Sequence, residues 1–248
     1  MSRGRDTLIP ADENRRMFDA IAGRYDLMNR LISLGLDHGW RRRAVELLGP
    51  VGGERYLDVG TGTGDLAIEI LRQQPDAEVV GIDPAGEMLA IAREKTGDAD
   101  LASAVSFQEG DATALPFEEG AFAGVVTGFC IRNVEDRLQA LSEMSRVLRP
   151  GGRLIVLELS VPTGGTMATL HSVFGRTFLP ATARLLSRQR AYRYLVDSVD
   201  ALAPPEQILA MLDDAGFGET EAIPLTGGVV SIFSGVRPRR EPAPTPSG

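Results

Sequence analysis

The feature that most limits what this chain can fold into is Leu57-Asp58-Val59-Gly60-Thr61-Gly62-Thr63-Gly64-Asp65. An apolar run stops at three alternating glycines, and apolar residues then resume with helical spacing. Glycines at such a junction let the backbone turn sharply and let a ligand approach it closely. The first turn of the following helix then offers free N–H groups to a polar or anionic group. A plain strand-to-helix turn has little need of three glycines in alternation. The same rhythm continues downstream. Strands are predicted at 55–59, 78–82, 105–108, 124–129 and 153–159, with helices at 65–73, 85–95 and 136–148 between them, and a tight turn at Arg149-Pro150-Gly151-Gly152. Strand and helix in alternation specify a parallel sheet covered by helices on both faces. Ligands of such sheets sit beyond the carboxyl ends of the strands.

The flanks are of a different kind. Residues 1–13 read as a flexible leader. From Asn14, Met17, Phe18, Ile21, Tyr25, Met28, Leu31 and Ile32 keep helical spacing until Gly35, and a second helix at 40–48 stops at Gly49-Pro50. Residues 14–49 thus form an N-terminal helical cap on a core at 50–160. Residues 161–203 break the alternation and read as an insert. Residues 204–236 hold a helix to Ala215 and two late strands at 220–223 and 229–233, and 237–248 read as a disordered tail. All of this is one α/β domain. With 248 residues, 43% apolar and 24% charged, the chain is long enough for one substantial core. Its net charge of −8 argues against a nucleic-acid partner. One cysteine, Cys130, and two histidines, His38 and His171, leave no disulfide framework and no metal set, which suits a reducing cytoplasm. The first residues carry no apolar signal segment, and the apolar stretch near 121–131 is too short to span a bilayer, so any lipid contact would be peripheral.

Two acids follow the glycine turn at strand ends. Asp83 closes the second strand about twenty residues on, where a carboxylate accepts hydrogen bonds from both hydroxyls of a ribose. Dinucleotides and S-adenosylmethionine both use that contact. The spacing here is G-x-G-x-G, and Asp65 stands where a dinucleotide fold needs its third glycine, so a pyrophosphate would meet a carboxylate. A sulfonium with an ammonium group tolerates acids such as Asp58. Gly110-Asp111-Ala112 ends the third strand, with a carboxylate suited to an adenine amino group and a small residue beside it; Asp111 as a helix cap is the plainer reading.

Together with Leu148-Arg149-Pro150-Gly151-Gly152-Arg153, these residues resemble the class I methyltransferases over residues 50–160. That resemblance implies a Rossmann-like seven-stranded, mostly parallel sheet with its last strand antiparallel. The flanks narrow it. Phe18-Asp19, Ile21-Ala22 and Tyr25-Asp26-Leu27-Met28-Asn29, then Arg132-Asn133-Val134, Tyr192 with Tyr194-Leu195 and Ser198-Val199, and Leu225-Thr226-Gly227-Gly228-Val229 are similar to the signatures of the demethylmenaquinone and demethoxyubiquinone C-methyltransferases over residues 14–236. The chain departs from that family at Leu202-Ala203-Pro204 and at Phe233, both toward the substrate side. The resemblance implies S-adenosylmethionine as cofactor, with Asp58, Gly60, Gly62, Thr63, Asp83, Asp111, Ala112 and Gly128 around it. Where the family often has serine, Gly128 can serve only through its backbone, with Thr127 as a substitute.

The implied reaction is methyl transfer to a ring carbon of a polyprenyl quinol, most readily demethylmenaquinol. The ubiquinone-pathway benzoquinol, O- or N-methylation of another small molecule, a nicotinamide oxidoreductase and a non-catalytic scaffold are the competing readings. Arg132, always cationic, suits a developing phenolate, and Asn133 suits a ring oxygen. Asp26, Tyr25 and His171 are candidate proton acceptors. Packing roles compete: Arg132 paired with Glu135 or Asp136, Tyr25 and His171 in the core. The insert is expected to act as lid and acceptor pocket, with Met167, Leu170, Phe174, Phe178 and Leu179 lining a groove for the tail. Its Arg184–Tyr194 stretch is expected to rest on anionic headgroups at the inner face of the membrane, and a homodimer is a further expectation.

Overall fold

The computed structural model describes residues 10–99, 101–160 and 204–239. The order of elements is α1 (Ala11–Ile32), α2 (Asp37–Leu48), β1 (Arg55–Val59), α3 (Asp65–Gln73), β2 (Glu78–Asp83), α4 (Gly86–Asp98), β3 (Val105–Glu109), β4 (Phe122–Gly128), a 3-10 turn (Ile131–Asn133), α5 (Arg137–Val147), β5 (Leu148–Leu159), α6 (Pro205–Asp214), β6 (Gly218–Leu225), a second 3-10 turn (Thr226–Gly228) and β7 (Val230–Val236).

The seven strands form one sheet in the order β3-β2-β1-β4-β5-β7-β6. β1 pairs in parallel with β2 and with β4, β2 with β3, and β4 with β5; β7 runs antiparallel between β5 and β6. The chain therefore leaves β1 toward one edge, returns, and leaves β4 toward the other. The switch point lies between β1 and β4, where the glycine turn stands. Helices on both faces force the central strands to be apolar on both sides. Leu57, Val59, Val125, Phe122, Leu148 and Val156 fill one layer, while Tyr56, Val126, Ile155, Leu157, Ile70 and Leu71 fill the other. Each such side chain contributes roughly 1.5–3 kcal/mol by leaving water. A smaller cluster, with Ala22, Ala85 and Met88 buried and Phe18, Ile21 and Tyr25 packed on them, seats α1 on α4.

Three local readings change. Residues 11–13, expected in the leader, are the first turn of α1: Pro10 precedes it with φ −52, and its carbonyl accepts from the N–H groups of Glu13 and Asn14, both at 2.9 Å. Proline suits that position, where its missing N–H is no loss. Arg149 to Gly152 is no free turn. β5 starts at Leu148, opposite Phe122, and the register shifts before Arg153 pairs with Gly124, with Gly151 at φ +81. This is a bulge within a strand. Residues 237–239 are held rather than loose at their start. The Arg237 N–H donates to the Gly152 carbonyl at 2.9 Å, and its own carbonyl accepts from Gly151 at 2.8 Å. Among the described residues no helix is long and apolar enough to cross a membrane.

Candidate functional site

A cavity of about 670 Å³ opens at the carboxyl ends of β1, β2, β3 and β4, roofed by α1. Each strand delivers its part at the point where its pairing ends. β1 ends in Gly60 and Gly62, both left-handed (φ +67 and +54) and both on the wall. A Cβ on Gly60 would lie 2.2 Å from the Cys130 sulfur, so only glycine lets the β1 and β4 ends come this close. β2 ends in Asp83. Its Oδ2 accepts from Gly62 N–H and its Oδ1 from Ala85 N–H, each at 2.9 Å. Burial raises its pKa to about 6, against those two amides. β3 leads into Gly110, Asp111 and Ala112, all on the wall. Asp111 Oδ1 accepts from the Thr113 N–H (2.8 Å) and hydroxyl (2.9 Å), which closes a turn and caps no helix, since none stands between β3 and β4; the residue stays exposed on the wall.

Asp58 lies beneath the turn, 1% exposed and behind the cavity wall rather than on it. Its Oδ2 accepts from the Thr61 hydroxyl at 2.7 Å and from Ala67 N–H at 3.2 Å, while its buried Oδ1 has no partner among the described residues. Burial raises this carboxyl to about 7, the Thr61 and Ala67 bonds pulling the other way. A buried orphan carboxylate oxygen beside a glycine cradle, with a second carboxylate at the end of β2, is a donor-hungry set that fits an ammonium and a ribose. The residues present therefore fit S-adenosylmethionine.

β4 ends in Gly128, Phe129 and Cys130, all on the wall. A Cβ on Gly128 would meet Leu66 Cδ1 at 2.7 Å, so leucine occupies the space a serine side chain would need. Thr127 does not substitute for it, being fully buried in the sheet and off the wall. Phe129 holds φ +56, a strained value for an aromatic residue. Its ring lies 5.7 Å from the Arg41 guanidinium and 5.9 Å from that of Arg132. Asn133 reaches the wall and donates from Nδ2 to the Phe129 carbonyl at 3.2 Å. Tyr25 reaches it from α1, edge-on to Phe18 with ring centroids 5.9 Å apart.

Three expected residues are engaged elsewhere. Arg132 is off the wall and forms a buried ion pair with Glu158 rather than with Glu135 or Asp136; its N–H also donates to Glu158 Oε2 at 3.3 Å. Asp26 is not poised as a proton acceptor. Its Oδ1 takes the Thr63 hydroxyl at 2.6 Å and its Oδ2 takes Lys95 Nζ at 2.9 Å. Thr63 consequently points its hydroxyl into this clasp and away from the cavity wall. Tyr25 is unsuited as a base for a different reason: burial raises its pKa, which keeps the phenol protonated and a donor. His171 lies outside the described residues, as do the groove and headgroup contacts expected of residues 161–203.

Sequence reasoning missed Phe129, Cys130, Glu158, the Lys95 clasp and Asn14, which stands on the wall and donates from Nδ2 to the Asn133 carbonyl at 3.2 Å. Glu158 carried a faint signal, an acid inside the apolar run Leu154-Ile155-Val156-Leu157, since a buried acid needs a cation. Cys130 adds no nucleophile, because burial pushes its thiol up to about 12.

The sheet order, the glycine turn at the switch point and acids at the ends of β2 and β3 define a class I methyltransferase. Solved structures share the fold at low identity: the putative methyltransferase complexed with the Haloferax volcanii Trm112 activator (TM-score 0.64, 20% identical, 90% of this chain and 98% of that one) and Haemonchus contortus phosphoethanolamine N-methyltransferase 2 with S-adenosyl-L-methionine (TM-score 0.61, 20% identical, 80% of this chain and 52% of that one). The model of the ubiE/COQ5 methyltransferase family matches residues 9–237, and the chain belongs to that family. Its relatives include a demethylmenaquinone methyltransferase of Thermus thermophilus, 48% identical over 90% of this chain and 100% of its own length. A ubiquinone/menaquinone biosynthesis C-methyltransferase of Syntrophotalea carbinolica is 43% identical over 92% and 95%.

Proposed function

We propose that this chain methylates a ring carbon of a reduced polyprenyl quinone, converting demethylmenaquinol to menaquinol with S-adenosylmethionine as donor. The observation that carries the choice of acceptor is the 48% identity with a demethylmenaquinone methyltransferase along nearly the whole chain. The bound cofactor supplies an electrophilic methyl on a sulfonium. The remaining work falls to this chain's residues. Asp83 would accept the ribose hydroxyls, Asp58 Oδ1 would balance the ammonium, Asp111 and Ala112 would hold the adenine, and the Gly60, Gly62 and Gly128 backbones would leave room for the cofactor. Thr63 acts one step removed, by fixing α1 over the turn.

On the acceptor side a quinol oxygen loses its proton and pushes an electron pair onto the adjacent ring carbon. A carbon so enriched could take the methyl of the bound cofactor, with the carbon–sulfur electron pair returning to sulfur, and its ring proton would then pass to water to restore the aromatic ring. Asn133 and Tyr25 face the same cavity and supply hydrogen-bond donors to the ring oxygens, where charge develops. Arg132, held by Glu158 with its guanidinium 5.9 Å from the Phe129 ring, fixes the strained turn beside the acceptor site. His171 takes the quinol hydroxyl proton in this reading. The enzyme works in the cytoplasm, peripheral at the inner face of the membrane, as a monomer or a homodimer.

The test is transfer of labelled methyl to reduced demethylmenaquinol and to the corresponding benzoquinol, side by side. Label in the extracted naphthoquinone is the expected result. Label in the benzoquinol alone moves the chain to the ubiquinone pathway. Label in neither, with cofactor binding intact, sinks the quinol reading.

A further inference from the structure

The outer face of the cap differs from the rest of this acidic molecule. Across residues 16–45 every exposed ionised side chain is an arginine; exposed Asp12, Glu13 and Glu46 flank this stretch, and Glu46 pairs with Arg42 and Arg43, which leaves Arg24 and Arg30 clear of it. Asp19, Asp26 and Asp37 are turned inward, where Asp19 accepts from the Glu87 N–H, and the other two are held by Lys95 and Arg41. Four of the six exposed large apolar residues among those described stand on the last turns of α1 or in the link to α2: Leu27, Leu31, Leu34 and Leu36. With 3.6 residues per turn, Arg24, Leu27, Arg30 and Leu31 share about a third of the helix circumference. The opposite face of α1, with Phe18, Ile21 and Tyr25, is the one packed on the body.

The way α1 ends is the second observation. Gly35 N–H bonds back to the Arg30 carbonyl at 2.9 Å and Leu34 N–H to that of Leu31 at 3.3 Å. This double closure of a helix normally places glycine at the first left-handed position. Here Leu34 stands there at φ +53, and the residue is 67% exposed. A leucine in a strained conformation that points into water gains nothing from the fold it belongs to.

We propose that the α1–α2 elbow docks on an anionic lipid surface: Leu31, Leu34 and Leu36 enter the headgroup boundary while Arg24 and Arg30 meet lipid phosphates. Apolar residues flanked by arginines, on the outside of a helix that roofs the cavity, match that boundary in charge and polarity. This rests on the quinol reading only in that a lipid-dissolved acceptor gives the docking a purpose.

The test uses the full chain in flotation with vesicles of phosphatidylglycerol and phosphatidylcholine in equal parts, against phosphatidylcholine alone. Binding to the anionic vesicles, weakened by added salt, is expected. Arg24→Glu with Arg30→Glu should lower the vesicle partition coefficient by roughly fivefold or more per arginine. Leu34→Gly separates docking from folding, because it relieves the left-handed strain. It should raise the melting temperature and lower vesicle binding together. A chain that ignores both vesicles overturns the proposal, and a dimer in sedimentation would then assign the patch to a second copy. Unchanged binding in all these variants overturns it as well and moves any lipid contact to residues 184–194. Methyl transfer to a tailless naphthoquinol needs no vesicle, so it reports on the quinol reading separately.

Discussion

Two carboxyls set the pH behaviour of the site. Asp58 and Asp83 are raised to about 7 and about 6 by burial. Their usual value is near 4, so between pH 4 and 7 the folded chain binds more protons than the unfolded one, and their contribution to stability falls as pH rises. Each unit is worth about 1.4 kcal/mol. The ligand-free protein should therefore lose part of its stability between pH 5 and pH 7, and Asp58→Asn should flatten that slope in melting curves. A variant with the unaltered slope would show that the orphan oxygen is not what titrates. The cofactor reverses the balance, since an ammonium favours the ionised form. Asp83→Ala should weaken cofactor binding by on the order of 1.5–3 kcal/mol, read by calorimetry; equal affinity would contradict the ribose contact.

At the scale of elements, a clasp joins α1 to the glycine turn. Lys95 on α4 gives one N–H each to Asp26 (2.9 Å), Thr63 (3.2 Å) and Asp65, and Asp65 in turn meets Arg41 of α2 at 3.4 Å. Lys95 is the one lysine among 26 basic side chains. A compact tetrahedral ammonium suits three acceptors converging on one point, whereas a guanidinium is larger and confines its donors to one plane. Lys95→Arg should therefore not be conservative. The expected result is a KM for the cofactor raised several-fold with kcat at saturation nearly kept, and a loss of about 1 kcal/mol in stability. A fall in kcat alone would place Lys95 in the chemistry instead of in the roof.

The whole molecule is closed by its far end. Arg237, just after β7, donates to the Arg146 carbonyl at 2.7 Å and to that of Leu148, and it pairs with Glu119. It thereby satisfies carbonyls at the end of α5, where a cation also suits the helix dipole. This anchor ties the antiparallel β7 to the β4–β5 half of the sheet. Arg237→Ala should cost about 1–3 kcal/mol in denaturant unfolding, with cofactor affinity intact; a loss of affinity instead would couple this edge to the site.

The repeating part of the chain was legible from the residues alone. Runs such as Leu57-Asp58-Val59 and Val125-Val126 declare strands buried on both faces, glycines declare the turn, and acids after strands declare ligand contacts, because each of these is a local consequence of period and of backbone freedom. Gly60, Gly62, Asp83, Asp111 and Ala112, picked from that pattern, and Gly128, implied by the resemblance, all line the cavity, while Asp58 is buried behind its wall. What the residues did not reveal depends on side chains distant in the chain meeting. Arg132 finds Glu158 across 26 positions and Asp26 finds Lys95 across 69, so their charges are spent on each other and not on a substrate. Neither pairing has a sequence period. Local pattern determines where a strand ends and which residue stands there; only packing decides which partner a buried charge accepts, because an ion removed from water must be matched by whatever the fold brings within reach.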